Sequence, residues 1–592
     1  MDVLFRLRRP ASIAAASCLV ASVAWSQTSP CPAWTVEGNQ FEARIGRVAS
    51  AGDVNGDGYR DVIVGAPVRD SGQTDEGRAS VYLGSSSGLA TIPIWTADGD
   101  QAQAHFGHSV AGAGDVNGDG YDDVIVGAPD FDNPQTDEGI ARVYLGSPTG
   151  PAAVAAWTAE GNQGGALFGF SVSAAGDVNG DGFGDVIVGA PRFDNGEFDE
   201  GRAFVYLGSA TGLATVAAWT AESDQAVALS SPVGSFGNSV GTAGDVNGDG
   251  YDDVIVGDPR FGEGLPAYRG SAFVYTGSAT GLSLAPAWTE DNGAMGFSYF
   301  GASTATAGDV NGDGFDDVIV GAPRCCDWKG DESSEGHAYG YLGSALGLAA
   351  APQWSISGPS DVFDPDSLLG DPLATAGDVN GDGFDDVVVT AAGWDEVYSY
   401  LGSATGLRVQ RHWMADGDWA AGAGDVNGDG YDDVLVGFSS FNGGFPDEGR
   451  VQLYLGSAVG LVRSAVFAGD GINADEIAPQ DILLGSSWTA PLTIHHPHGT
   501  GGALTLMVRT TAVNGPNLTS PFGGRTIEFL VSGATLGTFG GTHDGSAGGI
   551  APQAVPGDVT LLGVEWAAQY VVLGGGFADL SQAVVGVVHA CP

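Results

Sequence analysis

The sequence predicts an all-β fold: a seven-bladed β-propeller of four-stranded blades over residues 27–470, then a smaller β-sandwich-like domain over 471–592. Three observations carry this. DVNGDG occurs seven times, beginning at Asp53, Asp115, Asp177, Asp245, Asp309, Asp378 and Asp425, at intervals of 62, 62, 68, 64, 69 and 47 residues. Each full interval reads as four short strands parted by turn residues. Glycine supplies 98 of 592 residues with no G-X-Y period, which suits tight turns between short strands and excludes collagen.

The copy from Phe168 to Glu222 shows the layout. FGFSVSAAG is a small-residue inner strand, DVNGDGFGD an acidic loop, VIVGAP a buried strand, AFVYLG a third strand and ATVAAWTAE an outer strand. One such sheet cannot bury both its faces, but packing against its neighbours around a ring does so. Ser171, Ser173, Ala174 and Ala175 suit a crowded centre, and Trp219 a wide rim. Tryptophan stands at that outer place at Trp34, Trp95, Trp157, Trp219, Trp288, Trp354 and Trp413, and Phe467 after the seventh loop. Seven loops thus have eight candidate outer strands. The Trp34 segment precedes every loop, so it is expected to complete the blade built on Asp425 and to close the ring. That leaves the Phe467 segment redundant or leading onward.

The two ends read differently. Arg6, Arg8 and Arg9 followed by the apolar run Ala11–Ala24 form an export signal over residues 1–26, too short for a comfortable membrane span. No other segment is apolar enough to cross a bilayer, so a secreted or cell-surface chain with no membrane span is expected. Four cysteines follow the signal: Cys31, Cys325, Cys326 and Cys591. Their even number permits disulfides and leaves all pairings open. Beyond about residue 470 the repeat stops, and stretches such as ALTLMVRTTAV and TIEFLVSGATLGTF alternate as strands do.

Lys+Arg number 21 against 72 Asp+Glu, a net charge of −51. A surface this acidic repels nucleic acid and anionic membranes and suits divalent cations. The acids concentrate in the loops. Counting Asp115 as position 1, oxygen-bearing groups recur at Asn117, Asp119, the carbonyl of Tyr121, and Asp123. Alternate positions of a tight loop can turn such hard oxygens toward one Ca²⁺ ion, and Gly118 and Gly120 permit the winding. An EF-hand would place Glu at position 12, where this chain has Val126 inside a strand, so Asp at position 9 must be the last ligand. The same set recurs as Asp53, Asn55, Asp57, Tyr59 and Asp61; Asp177, Asn179, Asp181, Phe183 and Asp185; and Asp245, Asn247, Asp249, Tyr251 and Asp253. It recurs again as Asp309, Asn311, Asp313, Phe315 and Asp317; Asp378, Asn380, Asp382, Phe384 and Asp386; and Asp425, Asn427, Asp429, Tyr431 and Asp433. The bland alternative is an acidic Asx-turn without metal; seven intact copies weigh against it. At an effective dielectric of about 20, two carboxylates at loop distances repel by a few kcal/mol. Up to seven structural Ca²⁺ would add +14 and bring −51 to −37.

Two flanking signatures complete the pattern. Phe-Gly precedes the loop at Phe106-Gly107, Phe168-Gly169, Phe236-Gly237 and Phe300-Gly301. Gly-Ala-Pro follows it at Gly65-Ala66-Pro67, Gly127-Ala128-Pro129, Gly189-Ala190-Pro191 and Gly321-Ala322-Pro323. Over about residues 32–467 the chain resembles the FG-GAP repeats of integrin α-subunit propellers and their bacterial relatives. The resemblance implies seven blades, calcium between the first two strands of a blade, and ligand contact on the opposite face. Departures are Ile45-Gly46, Leu369-Gly370 and Trp419-Ala420 for Phe-Gly, and Gly257-Asp258-Pro259 and Thr390-Ala391-Ala392 for Gly-Ala-Pro. No spacing holds an inserted adhesion domain and no anchor follows, so the integrin pairing partner is not carried over.

The expected function is a secreted, monomeric adhesion or recognition platform for a protein or glycan. Its ligand face would carry 131–139, 193–201, 325–336 and 441–449, which mix aromatics with acids. Alternatives are a carbohydrate- or lipid-active enzyme, a lectin, or a propeller attached by its C-terminal domain. No catalytic constellation stands out. Gly84-Ser85-Ser86-Ser87-Gly88 fits G-x-S-x-G but aligns with GSATG turns elsewhere, and His495, His496, His498 and His543 recur in no repeat.

Overall fold

The computed structural model describes residues 32–461, except position 197, 224–234, 263–268, 292–297, 325–334, 359–366 and 459, together with four later strands. Its regular structure is entirely β: seven four-stranded antiparallel sheets in one ring, and an eighth sheet of Thr489–Ile494, Leu504–Ala512, Arg525–Val531 and Ala534–Phe539. That eighth sheet is an antiparallel meander, as the alternation predicts. The second layer of a sandwich, the export signal, the four cysteines after it, Phe467, and His495, His496, His498 and His543 lie outside the described residues.

The blade on Asp177 has strands Ser171–Gly176, Asp185–Ala190, Arg202–Tyr206 and Trp219–Glu222, paired in that order. The blade on Asp425 takes three strands from the end of the ring, Trp419–Gly424, Asp433–Phe438 and Arg450–Tyr454. Its fourth is Trp34–Glu37, in register Trp34↔Leu453 to Glu37↔Arg450. The ring therefore closes as the tryptophan count requires.

The core lies between blades. In Asp61–Ala66 every residue is buried, because side chains alternate between two neighbours. Val62 and Val64 face the seventh blade, while Ile63 joins Val81, Trp95, Phe106, Val124 and Val126 against the second. Each outer tryptophan clamps the next blade. Trp95 donates its Nε1–H to Ala152 O at 2.9 Å and meets Tyr144 edge-on at 4.8 Å. Trp34 repeats this at the closure, with Ala90 O at 3.0 Å and Tyr82 at 5.0 Å. The inner strands are small because they touch one another. Ser50 Oγ donates to Ala423 O, and Ser171 Oγ to Gly237 O, each across a blade boundary.

Candidate functional site

Each acidic loop leaves the inner strand at a bulge. The register shifts between Gly112 and Gly114, and Gly114 has φ 69°, a conformation an L side chain strains to adopt. The loop then winds on its first carboxylate. Asp115 Oδ1 accepts from the amides of Gly118 (2.7 Å) and Asp119 (3.1 Å), and Oδ2 from Gly120 (2.7 Å). Asn117 Oδ1 accepts from Asp119 N–H, and Asp119 Oδ1 from Tyr121 N–H. Side chains at positions 1, 3 and 5 thus serve as turn-formers, and among the described residues no three acidic, His or Cys groups converge within reach of one ion.

Position 9 differs. Asp123 is wholly buried; its Oδ2 accepts from Val116 N–H at 2.9 Å and its Oδ1 from Gly146 N–H at 2.7 Å, at the end of the third strand. Burial pushes its pKa up to about 7; the two amide bonds oppose the shift, and the charges of Asp115 and Asp119 add to it. Asp61, Asp185, Asp253, Asp317, Asp386 and Asp433 are likewise raised to about 7 by burial first. Among the described residues none of the seven has an ion pair with Arg or His. A buried carboxylate that feels two other loop carboxylates and has no cationic partner is costly. Each oxygen keeps a lone pair beyond its amide bond. The donor set is hard oxygen of the kind Ca²⁺ takes, although the three carboxylates do not converge on one point in this structure.

The loops also bind each other, which the sequence reading missed. The position-8 amide of each blade donates to the position-1 carbonyl of the preceding loop in all seven junctions, from Asp122 N to Asp53 O (3.1 Å) through Arg60 N to Asp425 O (3.2 Å). The serine opening each third-to-fourth-strand turn donates its N–H to the position-2 carbonyl of the same loop, as Ser147 N to Val54 O at 3.0 Å. The position-7 ring covers the preceding loop's glycine: a Cβ on Gly118 would stand 2.6 Å from Phe183 Cε1. That contact explains why position 7 is always Tyr or Phe, although only its carbonyl could reach a metal. In five junctions the position-8 side chain adds a bond. Asp122, Asp252, Asp316, Asp385 and Asp432 each accept the position-1 N–H of the preceding loop at 2.7–2.9 Å. Gly184 and Arg60 stand at the other two places. The recurrence of Asp at position 8 was the available signal.

On the opposite face the recurring acids are turned inward rather than out to solvent. Glu76, Glu138, Glu200 and Glu448 of the DEG turns are buried. Glu76 Oε1 accepts from Ser71 and Gln73 amides, and Glu448 Oε1 from Phe445 N–H. The first aromatic of these loops is sandwiched under a strand arginine: Arg142 over Phe131 (5.5 Å), Arg202 over Phe193 (5.0 Å), Arg450 over Phe441 (3.9 Å). Phe198 and Phe445 do remain exposed. The 325–334 part of the fourth expected loop lies outside the described residues. Ser86 is a turn residue: Ser85 Oγ donates to Gly88 O at 2.8 Å, as Ser147 does to Gly150 and Ser209 to Gly212.

A ring of seven blades, each opening through a self-wound acidic loop, defines the class: a repeat propeller with an acidic loop face. The FG-GAP repeat model matches residues 46–82, 106–144, 168–206, 236–275 and 300–324, and the FG-GAP-like repeat model matches 378–436. The chain matches an integrin alpha-like FG-GAP family. It is similar to integrin alpha-PS2 of Drosophila melanogaster, 34% identical over 225 residues, covering 36% of this chain and 15% of that protein. Integrin alpha-V of Gallus gallus is 34% identical over 221 residues, 36% of this chain and 20% of its own length. Integrin alpha-IIb of Mus musculus is 38% identical over 172 residues, 28% and 16% respectively. These alignments span a fifth or less of each relative.

Proposed function

We propose that the chain is a secreted, calcium-stiffened recognition platform: one face held by up to seven structural Ca²⁺, the other presenting variable connections to an extracellular protein or glycan. The single observation that carries it is the contrast at position 9. Seven buried carboxylates sit beside two further loop carboxylates each and have no cationic side chain as partner among the described residues. Bound Ca²⁺ would supply that missing positive charge, held by the oxygens at positions 1, 3, 5, 7 and 9. The residues themselves fix the loop, join it to the third strand through position 9, and tie it to the next blade through positions 7 and 8. Similarity to integrin alpha chains favours recognition over catalysis, and the export signal favours a place outside the cell or at its surface. We read residues 27–470 as this platform, acting as a monomer without a membrane span, and 471–592 as a separate β domain. The test is a calcium-loaded binding screen of the mature chain on protein and glycan arrays, alongside hydrolase and lyase assays. Turnover of a polysaccharide or lipid without stable binding would overturn the reading.

A further inference from the structure

The arginines of this acidic chain are not spread evenly. Three successive blades end their second strand in Pro-Arg: Pro191-Arg192, Pro259-Arg260 and Pro323-Arg324. The other four have Val68, Asp130, Gly393 and Ser440 there. All lie on the face away from the acidic loops. A cleft of about 360 Å³ opens there between the fourth, fifth and sixth blades, lined among others by Asn238, Arg260, Tyr299, Arg324 and Asp371. Asn238 and Asp371 each follow the Phe-Gly or Leu-Gly that starts an inner strand, which puts the cleft at the mouth of the central channel.

The cleft is built by departures from the repeat. In the fourth copy Asp258 replaces the alanine of Gly-Ala-Pro, the one acid found at that place in the seven blades. It is buried, and its Oδ1 accepts from Ser235 Oγ (2.9 Å) and from Arg260 N–H (3.3 Å). Ser235 Oγ also accepts from Arg260 N–H, at 3.1 Å. The backbone of Arg260 is thereby fixed from beneath, while among the described residues no carboxylate lies within ion-pair distance of its guanidinium. Arg324 is positioned by its stack over Tyr299, 5.1 Å to the ring centroid. Asp371, of the sixth copy's Leu-Gly-Asp-Pro, also lines the cleft; desolvation raises its carboxyl to about 6, and the Arg47 guanidinium opposes that shift.

We propose that this cleft binds an acidic sugar of the uronate type, with Arg260 and Arg324 taking its carboxylate and Asp371 and Asn238 its ring hydroxyls. Guanidinium groups suit carboxylates through paired N–H donors, and a carboxylate such as Asp371 accepts from hydroxyls. An acidic peptide offers carboxylates to the arginines but lacks the ring hydroxyls that Asp371 and Asn238 can bond. One carboxylate surrounded by hydroxyls fits the mixed lining better. The proposal rests on the recognition reading of this face but names its ligand class.

The experiment is calorimetric titration of the mature full chain in Ca²⁺ with trigalacturonate, neutral galactotriose and hexaglutamate. Variants are Arg260→Gln, Arg324→Gln and, outside the cleft, Arg192→Gln. Trigalacturonate should bind, more weakly as salt rises, and lose about tenfold or more in affinity in the first two variants only. Galactotriose and hexaglutamate should not bind, and all three variants should keep the wild-type melting temperature. Absent or variant-independent trigalacturonate binding overturns the proposal, and so does hexaglutamate binding of equal strength. If galactotriose or a protein on the array binds while trigalacturonate does not, this inference falls and the platform reading stands. If no array ligand binds at all, both fall.

Discussion

On one face of the propeller seven loops repeat almost residue for residue; on the other, the connections share a brace and then diverge. Asp123 and its six equivalents do the same work in every blade, binding the position-2 amide and the amide that follows the third strand. Across the molecule, Glu76, Glu200 and Glu448 hold their turns shut, but Asp258 and Asp371 each occur once in their places, and arginine stands at the place of Arg260 in three blades only. Repetition marks what every blade needs to join the ring. Single departures mark what one place on the ring does alone.

The largest expected effect comes from breaking the joint that both faces share. Trp34→Ala removes the ring that packs on Tyr82 and the bond to Ala90 O at the closure. It should cost about 3–5 kcal/mol, read as a lower denaturation midpoint. A smaller loss would show that the other six joints hold the ring without it. Next is the loop face. Asp123→Ala strands the amides of Val116 and Gly146 and should cost roughly 1–3 kcal/mol, measured by urea unfolding in the presence of Ca²⁺. An equal cost for Glu138→Ala would blur the distinction between the two faces. Smaller still, Asp252→Ala removes one side-chain tie between the third and fourth loops while leaving the backbone bond of Asp252 N–H to Asp177 O. About 1 kcal/mol is expected. The least is Arg60→Ala. Its ion pair with Asp122 spans 3.2 Å but the arginine is over half exposed, so a change of at most about 0.5 kcal/mol should appear, and less in high salt.

Much of this was legible in the sequence. The seven-fold spacing gave the blades, and the surplus tryptophan at Trp34 gave the closure, because an outer strand without an inner partner must pair elsewhere. What stayed hidden depended on contacts between copies. Nothing within one copy says that Asp122 serves the loop of the copy before it, or that Tyr121 covers Gly56. Those roles become visible only when the ring places position 8 beside position 1. The glutamates of the DEG turns misled for the opposite reason: a polar loop reads as exposed, yet Glu138 is folded inward under its own turn. Asp258 stood out as a departure from the repeat, but its support of Arg260 needed the chain around Ser235 brought across from 23 residues upstream.

The central claim is that the acidic loops form a cation-held ring. Thermal unfolding of the mature chain in Ca²⁺, in EDTA and after Ca²⁺ is returned tests it most directly. A melting temperature that falls in EDTA, recovers with Ca²⁺ and recovers far less with Mg²⁺ is the expected result. The same melting temperature in all conditions would contradict it, leaving the loops as acidic turns that need no metal.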